Sequence, residues 1–420
     1  MGTKNFPGLP VDAANRMTAA DMGALARDRR MLREAIAERR AVSRGTPTVL
    51  VAWVWRREYG RASGLAEEPP PWMMIAERLT AQLLSGPPAL DPVAVAERLL
   101  AVQGQDPRGA RLAVRSRTAG LSAADVDRAL TADRSLVITW LNRGTLHLVR
   151  SEDYPWLHAL TTPPLCTGSA RRLAQEGVSP RAAERGVAVV ERSLVDEGPL
   201  TRAQLRDRIA AAGVRTEGQA LVHILMLASL RGVAVRGPMI GRDHAYVLVR
   251  DWLGEAGAFD RDAALGELAR RYLAGHGPAG NGDLAKWSGL PLRAARAGLE
   301  TIASQLDQRE GGLVDLAARP AASALPPPRL LGSFDPVLLG WTSREPLLGD
   351  HQGIVTVNGL FRPFALVRGR AAGIWRMPAG RVELEPFGRL SRADADALKT
   401  DAQDVVRFLG DPAAGATDRN

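Results

Sequence analysis

The sequence predicts a mainly α chain with interspersed β-structure: three tandem winged-helix units, then a small C-terminal β-barrel-like unit and a terminal helix. Three observations predict it. Three short helical patterns and an alternating strand pair fill residues 91–149. A long helix, a Gly-Pro turn, a short helix and a second long helix occur twice in the middle of the chain. Beyond Pro326-Pro327-Pro328, apolar and polar residues alternate around an Asn-Gly pair, a strong hairpin signal.

A length of 420 residues suits several compact units. The boundaries predicted are 1–72 for an N-terminal extension, 73–165, 179–253 and 258–320 for the three winged helices, and 327–410 for the C-terminal unit. Hydrophobic residues make up 45% and charged residues 24%, the balance of a globular protein. No apolar run approaches the roughly 18 residues that span a bilayer. Val49–Trp55 is short, runs into Arg56-Arg57 and does not read as a secretory leader. The single cysteine, Cys166, rules out an internal disulfide and a cysteine-based zinc site, and six scattered histidines argue against another metal site. No cofactor is expected, and a reducing cytoplasm fits. Cys166 has no base nearby in sequence and reads as structural.

The net charge of +9 comes almost wholly from arginine, with Lys4, Lys286 and Lys399 the only lysines. Residues 1–72 hold 12 cations and 8 acids, so nearly half of the excess lies in the extension. Net charge alone is therefore weak support for a polyanionic partner. Within the extension, Ala19–Ala41 reads as a charged helix, and Glu67-Glu68-Pro69-Pro70-Pro71 closes it. Two expectations stand: a loosely ordered tail, or a natural start at Met73 or Met74, where the amphipathic run Ile75–Leu84 begins.

Asp91 and Pro92 open a helix through Leu100, with Asp at the cap and Pro in the first turn. Gly109–Arg117 and Ser122–Leu130 read as the next helices. Ser135–Trp140 and Gly144–Val149 read as strands joined by Leu141-Asn142-Arg143. In the repeat, Gly198-Pro199 and Gly277-Pro278 follow the long helices Val189–Glu197 and Ala264–His276. Leu205 and Leu284 each lie seven residues after the first Gly, and the closing Gly232 and Gly311 lie 34 after it. Gly232–Gly237 and Ala245–Arg250 are expected to flank a wing at Pro238–His244. Gly353–Val357, Phe361–Val367 and Ala371–Trp375 are expected strands, and Ser391 caps a helix to Leu409.

The run Val102-Gln-Gly-Gln-Asp106 stands out at the end of the first helix. Together with Thr139-Trp-Leu-Asn-Arg-Gly-Thr-Leu-His-Leu148, Ser333-Phe-Asp-Pro-Val-Leu-Leu-Gly340 and Gly373-Ile-Trp-Arg376, in that order, it resembles the AlkZ/YcaQ-like winged-helix proteins from about Met73 to Leu409. The resemblance implies a monofunctional DNA glycosylase with three winged helices and a C-terminal β-barrel-like unit, acting on alkylated purines or interstrand cross-links. It implies double-stranded DNA as the partner of a monomer and a place on the bacterial nucleoid. It also implies that Gln103 and Gln105 are the catalytic pair, in the Gln-x-Gln form of the signature. Gly104 departs from the aliphatic residue usual between them.

The chemistry is consistent with two amides. An N7- or N3-alkylated purine is already cationic and leaves neutral, so it needs no general acid. What remains is to place a water and face a cationic sugar, which glutamine oxygens can do. They cannot take a full proton as a carboxylate does. Asp106 is a rival for the electrostatic role. In a helix, residues 103 and 105 would diverge, so a shared site requires extended backbone, which Pro107 favours.

Each further candidate has two open readings. His147 is a structural histidine or the site floor. Arg143 and Thr145 bind backbone phosphate or make a strand turn. Arg202, Arg206 and Arg208 contact phosphates or form a solvated helix face. Arg368 and Arg370 enter a minor groove or sit on a solvated hairpin tip. Trp140 and Trp375 read as core. The competing functions are a non-catalytic winged-helix DNA binder or regulator and a protein-interaction scaffold. No dimerising helix or ligand domain is evident for a regulator.

Overall fold

A computed structural model describes residues 71–410, except 256, 318, 321, 323 and 357. The expected helix Ala19–Ala41 lies outside the described residues, as does most of the extension.

Helix α1 (Pro71–Ala81) precedes α2 (Pro92–Leu99). Asp91 caps α2 by accepting a hydrogen bond from the Ala94 amide at 2.7 Å, with Pro92 at the first helical position. A two-residue strand, β1 (Val102–Gln103), leads into α3 (Pro107–Arg115) and α4 (Ala123–Thr131). Strands β2 (Leu136–Leu141) and β3 (Thr145–Arg150) then form a hairpin. Helices α5 (Tyr154–Thr161), α6 (Pro163–Gln175) and α7 (Pro180–Glu197) follow. The strand β4 (Leu200–Thr201), α8 (Arg202–Ala211), α9 (Ala220–Leu230) and the hairpin β5 (Ala234–Ile240) and β6 (Asp243–Leu248) come next.

The two hairpins join. β2 pairs with β5 at Ile138 and Arg236, giving one antiparallel six-stranded sheet in the order β1-β3-β2-β5-β6-β4. Alternation then divides the core. Leu136, Ile138, Trp140, Leu146 and Leu148 face one apolar cluster, and Val137, Leu141 and Val149 face the other. Both faces of β2 are covered, which is why its sequence, LVITWL, is apolar nearly throughout.

Helices α10 (Val249–Leu253), α11 (Arg261–His276), α12 (Asn281–Ser288) and α13 (Leu292–Thr301) lead to a small hairpin, β7 (Leu306–Gln308) and β8 (Val314–Leu316). The C-terminal sheet contains β9 (Arg329–Leu331), β10 (Phe364–Val367), β11 (Arg370–Arg376) and β12 (Glu383–Pro386), in the order β12-β11-β10-β9. The short α14 (Glu345–Leu348) lies between β9 and β10, and α15 (Arg392–Leu409) ends the described chain, capped by Ser391.

Four expectations are corrected. The helix expected at Gly109–Arg117 begins at Pro107, because Asp106 caps it. The second long helix of the later repeat stops at Thr301, and Gly311 instead has φ 68° in the turn between β7 and β8. The wing expected at Pro238–His244 is mostly strand, so β5 and β6 turn only at Gly241-Arg242. No strand forms over 353–356 of the run expected at Gly353–Val357: a 3-10 turn is followed by a single bridge between Val355 and Phe361, and Val357 lies outside the described residues. Trp140 and Trp375 are core residues, each 4% exposed.

Candidate active site

The site begins with strained backbone. Leu100, fully buried, takes φ 63° and turns the chain from α2 into β1. A branched aliphatic residue there stores roughly 1–3 kcal/mol of strain, maintained by the packing around it. The turn delivers Val102 opposite Leu148 and Gln103 opposite His147. The Gly104 amide donates to the Leu146 carbonyl at 2.7 Å, extending the ladder by one residue. Gln105 is exposed, and its Oε1 accepts from the Leu146 amide at 3.4 Å. Residues 103 and 105 are thus both set against the 145–147 stretch of β3, as a shared site requires.

Gly104 is no steric requirement. A Cβ there would meet Ile138 Cγ2 at 3.4 Å and the Leu148 amide nitrogen at 3.6 Å. Asp106 ends the extended segment with φ −108° and accepts from the Arg108 amide at 3.0 Å. Its carboxylate is therefore engaged as the cap of α3.

Gln103 is 6% exposed and His147 2%. Burial, reinforced by the nearby Arg143 guanidinium, pushes the His147 imidazole down to about 3. The ring is neutral across the physiological range. Its proton belongs on Nδ1, 2.9 Å from the Thr145 carbonyl oxygen, which leaves Nε2 as an acceptor. Such a histidine cannot supply a positive charge or act as a general acid near pH 7.

Arg143 Nη2 donates to Gln103 Oε1 at 3.4 Å, and its Nη1 donates to the Trp287 carbonyl at the end of α12. Burial and the neighbouring Arg344 hold this guanidinium below the ordinary arginine value. The hairpin tip sits on the same helix end: a Cβ on Gly289 would lie 2.8 Å from the Asn142 carbonyl oxygen. Neither Trp287 nor Arg344 could be found by sequence reasoning, since no local pattern links them to residue 143.

The remaining candidates lie on other elements, and none is hydrogen-bonded or ion-paired to the glutamine strand. Arg202 and Arg206 are exposed on α8, where Arg206 pairs with Asp207 and Arg208 with Glu197. Arg368 has φ 50° at the β10–β11 turn, and its side chain, 75% exposed, pairs with Asp394 at 3.1 Å. Arg370 is exposed at the start of β11.

The arrangement sets two amide side chains beside a neutral imidazole: Gln103 and His147 are buried on the sheet, and Gln105 opens to solvent just past the end of β1. Comparisons with known proteins place most of the chain. A Streptomyces sahachiroi protein described as an interstrand DNA cross-link repair glycosylase is 29% identical over 366 residues, covering 81% of this chain and 96% of that one. The solved structure of the Streptomyces sahachiroi DNA glycosylase AlkZ superposes with a TM-score of 0.66 at 27% identity, covering 81% of this chain and 97% of that one. The family described as DNA glycosylase AlkZ-like matches residues 96–408, from α2 to α15, and the chain belongs to that family of DNA glycosylases.

Proposed function

We propose that this glycosylase hydrolyses the N-glycosidic bond of alkylated, cationic purines in duplex DNA and unhooks interstrand cross-links built on such bases. One observation carries the reading. Gln103 and Gln105 meet at the same stretch of β3, each amide oxygen accepting one long hydrogen bond from the protein and keeping a lone pair, while Asp106 spends one carboxylate oxygen as the cap of α3. Amides suit a leaving base that is already cationic. They accept from the attacking water and face the sugar's developing charge, and no proton donor is needed.

The relatives' described activity and the described helix-and-hairpin units support three winged helices wrapping a duplex, divided near 165–179 and 253–258, with a barrel-like C-terminal unit. The protein acts as a monomer, without a cofactor, on the nucleoid in the cytoplasm. Arg202, Arg206, Arg368 and Arg370 are offered to DNA phosphates: all four are exposed, and the surface ion pairs of Arg206 with Asp207 and of Arg368 with Asp394 are weakly held. Arg143 and Thr145 are assigned to the floor of the site, where Arg143 steadies Gln103.

The test is base release from duplexes carrying N7-methylguanine or a nitrogen-mustard cross-link. Wild-type protein is expected to leave abasic sites. Gln103→Ala and Gln105→Ala are each expected to lower the single-turnover rate on the order of a hundredfold or more, with duplex affinity retained. Duplex binding without base release from either substrate would instead mark a non-catalytic DNA binder.

A further inference from the structure

Buried polar atoms almost always have a hydrogen-bond partner, so those without one mark where something else binds. Fifteen such side-chain atoms occur among the described residues, and four fall within residues 139–145: Thr139 Oγ1, both amide atoms of Asn142, and Thr145 Oγ1. Thr139 is fully buried and Asn142 is 1% exposed. This concentration lies on the hairpin beneath the glutamine strand.

Register specifies the placement. His147 is directly opposite Gln103 on one side and Thr139 on the other. Directly opposed residues in an antiparallel sheet share a face, with Cβ atoms about 5 Å apart. Gln103, His147 and Thr139 therefore form one polar row across β1, β3 and β2. On that face the neighbouring rows are apolar at Val137, Val149 and Leu141. The row is chemically complementary: the Thr139 hydroxyl can donate, and the neutral His147 ring accepts at Nε2.

We propose that Thr139 is a positioning residue for base excision. Its hydroxyl, with His147, holds an internal water that fixes the amide of Gln103 toward the nucleophile. Asn142 supplies further partners for that water chain at the hairpin turn. The proposal rests on the reading of Gln103 and Gln105 as the hydrolytic pair. It adds a residue that never touches the substrate, and it explains why a hydroxyl stands in the otherwise apolar strand LVITWL.

The experiment compares Thr139→Val, Thr139→Ser and Gln103→Ala in the full chain, using a duplex with one N7-methylguanine. Thr139→Val is expected to slow single-turnover release on the order of a hundredfold, the effect of a misplaced group, while duplex affinity and melting temperature stay at wild-type values. Thr139→Ser is expected to restore most of the rate. Wild-type release by Thr139→Val, with Gln103→Ala inactive, overturns the relay and leaves the glutamine pair standing. Wild-type release by Gln103→Ala removes the glutamine reading and the relay with it. A crystal structure that resolves solvent decides the matter if the valine variant does not fold. A water within hydrogen-bond reach of Thr139 Oγ1 and His147 Nε2 supports the relay, and a Thr139 hydroxyl spent on a strand carbonyl overturns it.

Discussion

Gly104 carries little of the site's geometry, although the resemblance to the AlkZ/YcaQ-like proteins implies an aliphatic residue there. A methyl group there meets only ordinary contacts, against Ile138 and the backbone of β3. Gly104→Ala is expected to keep base release within about threefold and to leave stability unchanged or raise it by ~0.5 kcal/mol, through a less flexible unfolded chain. Single-turnover kinetics and urea titration check both. The glutamines, His147 and Arg143 were visible in the sequence as candidates, because each sits in a short motif with local chemistry; the capping role of Asp106 was not, and the helix it caps was expected to start at Gly109. The neutrality of His147 was not visible either. It depends on burial under residues distant in the chain, which no local pattern records.

At the scale of elements, α3 is the part that holds the glutamine segment in place from below. A Cβ on Gly109 would lie 2.3 Å from the Ser333 carbonyl oxygen, and one on Gly332 would lie 2.9 Å from Leu112 Cβ. The helix and the segment after β9 therefore meet backbone to backbone. Arg115 adds hydrogen bonds to Asp401, Asp404 and the Leu330 carbonyl. Gly109→Val is expected to destabilise the protein by about 3 kcal/mol or more through overpacking, read as a lower urea midpoint. The sequence showed α3 and the Ser333–Gly340 run as separate motifs. Their contact spans more than 200 residues, so only the fold shows that the second supports the first. The two-residue β1 was equally illegible, since two residues carry no periodicity. Helices α5 and α6 meet the hairpin tip, where the Asn142 amide donates to Thr161 Oγ1 at 3.3 Å and a Cβ on Gly144 would lie 3.6 Å from Leu165, yet neither helix carries a motif that places it there.

Across the whole molecule, two buried electrostatic features set its tolerance to change. Arg117 and Asp335 are both fully buried and meet through two hydrogen bonds, at 2.8 and 2.9 Å. Asp335→Ala strands the guanidinium and is expected to remove about 3–5 kcal/mol, measured by denaturant unfolding. His147, His244 and His276 are each held down to about 3, chiefly by burial. Each has a folded value below its ordinary 6.5, so the unfolded chain binds the extra protons. Their contribution is fully present above about pH 6.5 and is lost as the pH falls toward 3. Thermal unfolding followed from pH 8 to pH 4 is expected to show the melting temperature dropping below about pH 6.5, with as many as three protons taken up on unfolding.

The six-stranded sheet that carries the site ends, at both edges, in strands of only two residues, Val102–Gln103 and Leu200–Thr201. A long free edge invites another chain to pair with it and start a fibre, and edges this short offer almost no template. Pro107 immediately after the glutamine segment, and the helices that follow each edge strand, keep them from lengthening. The same brevity that leaves Gln105 open to solvent thus also guards the protein against self-assembly into aggregates.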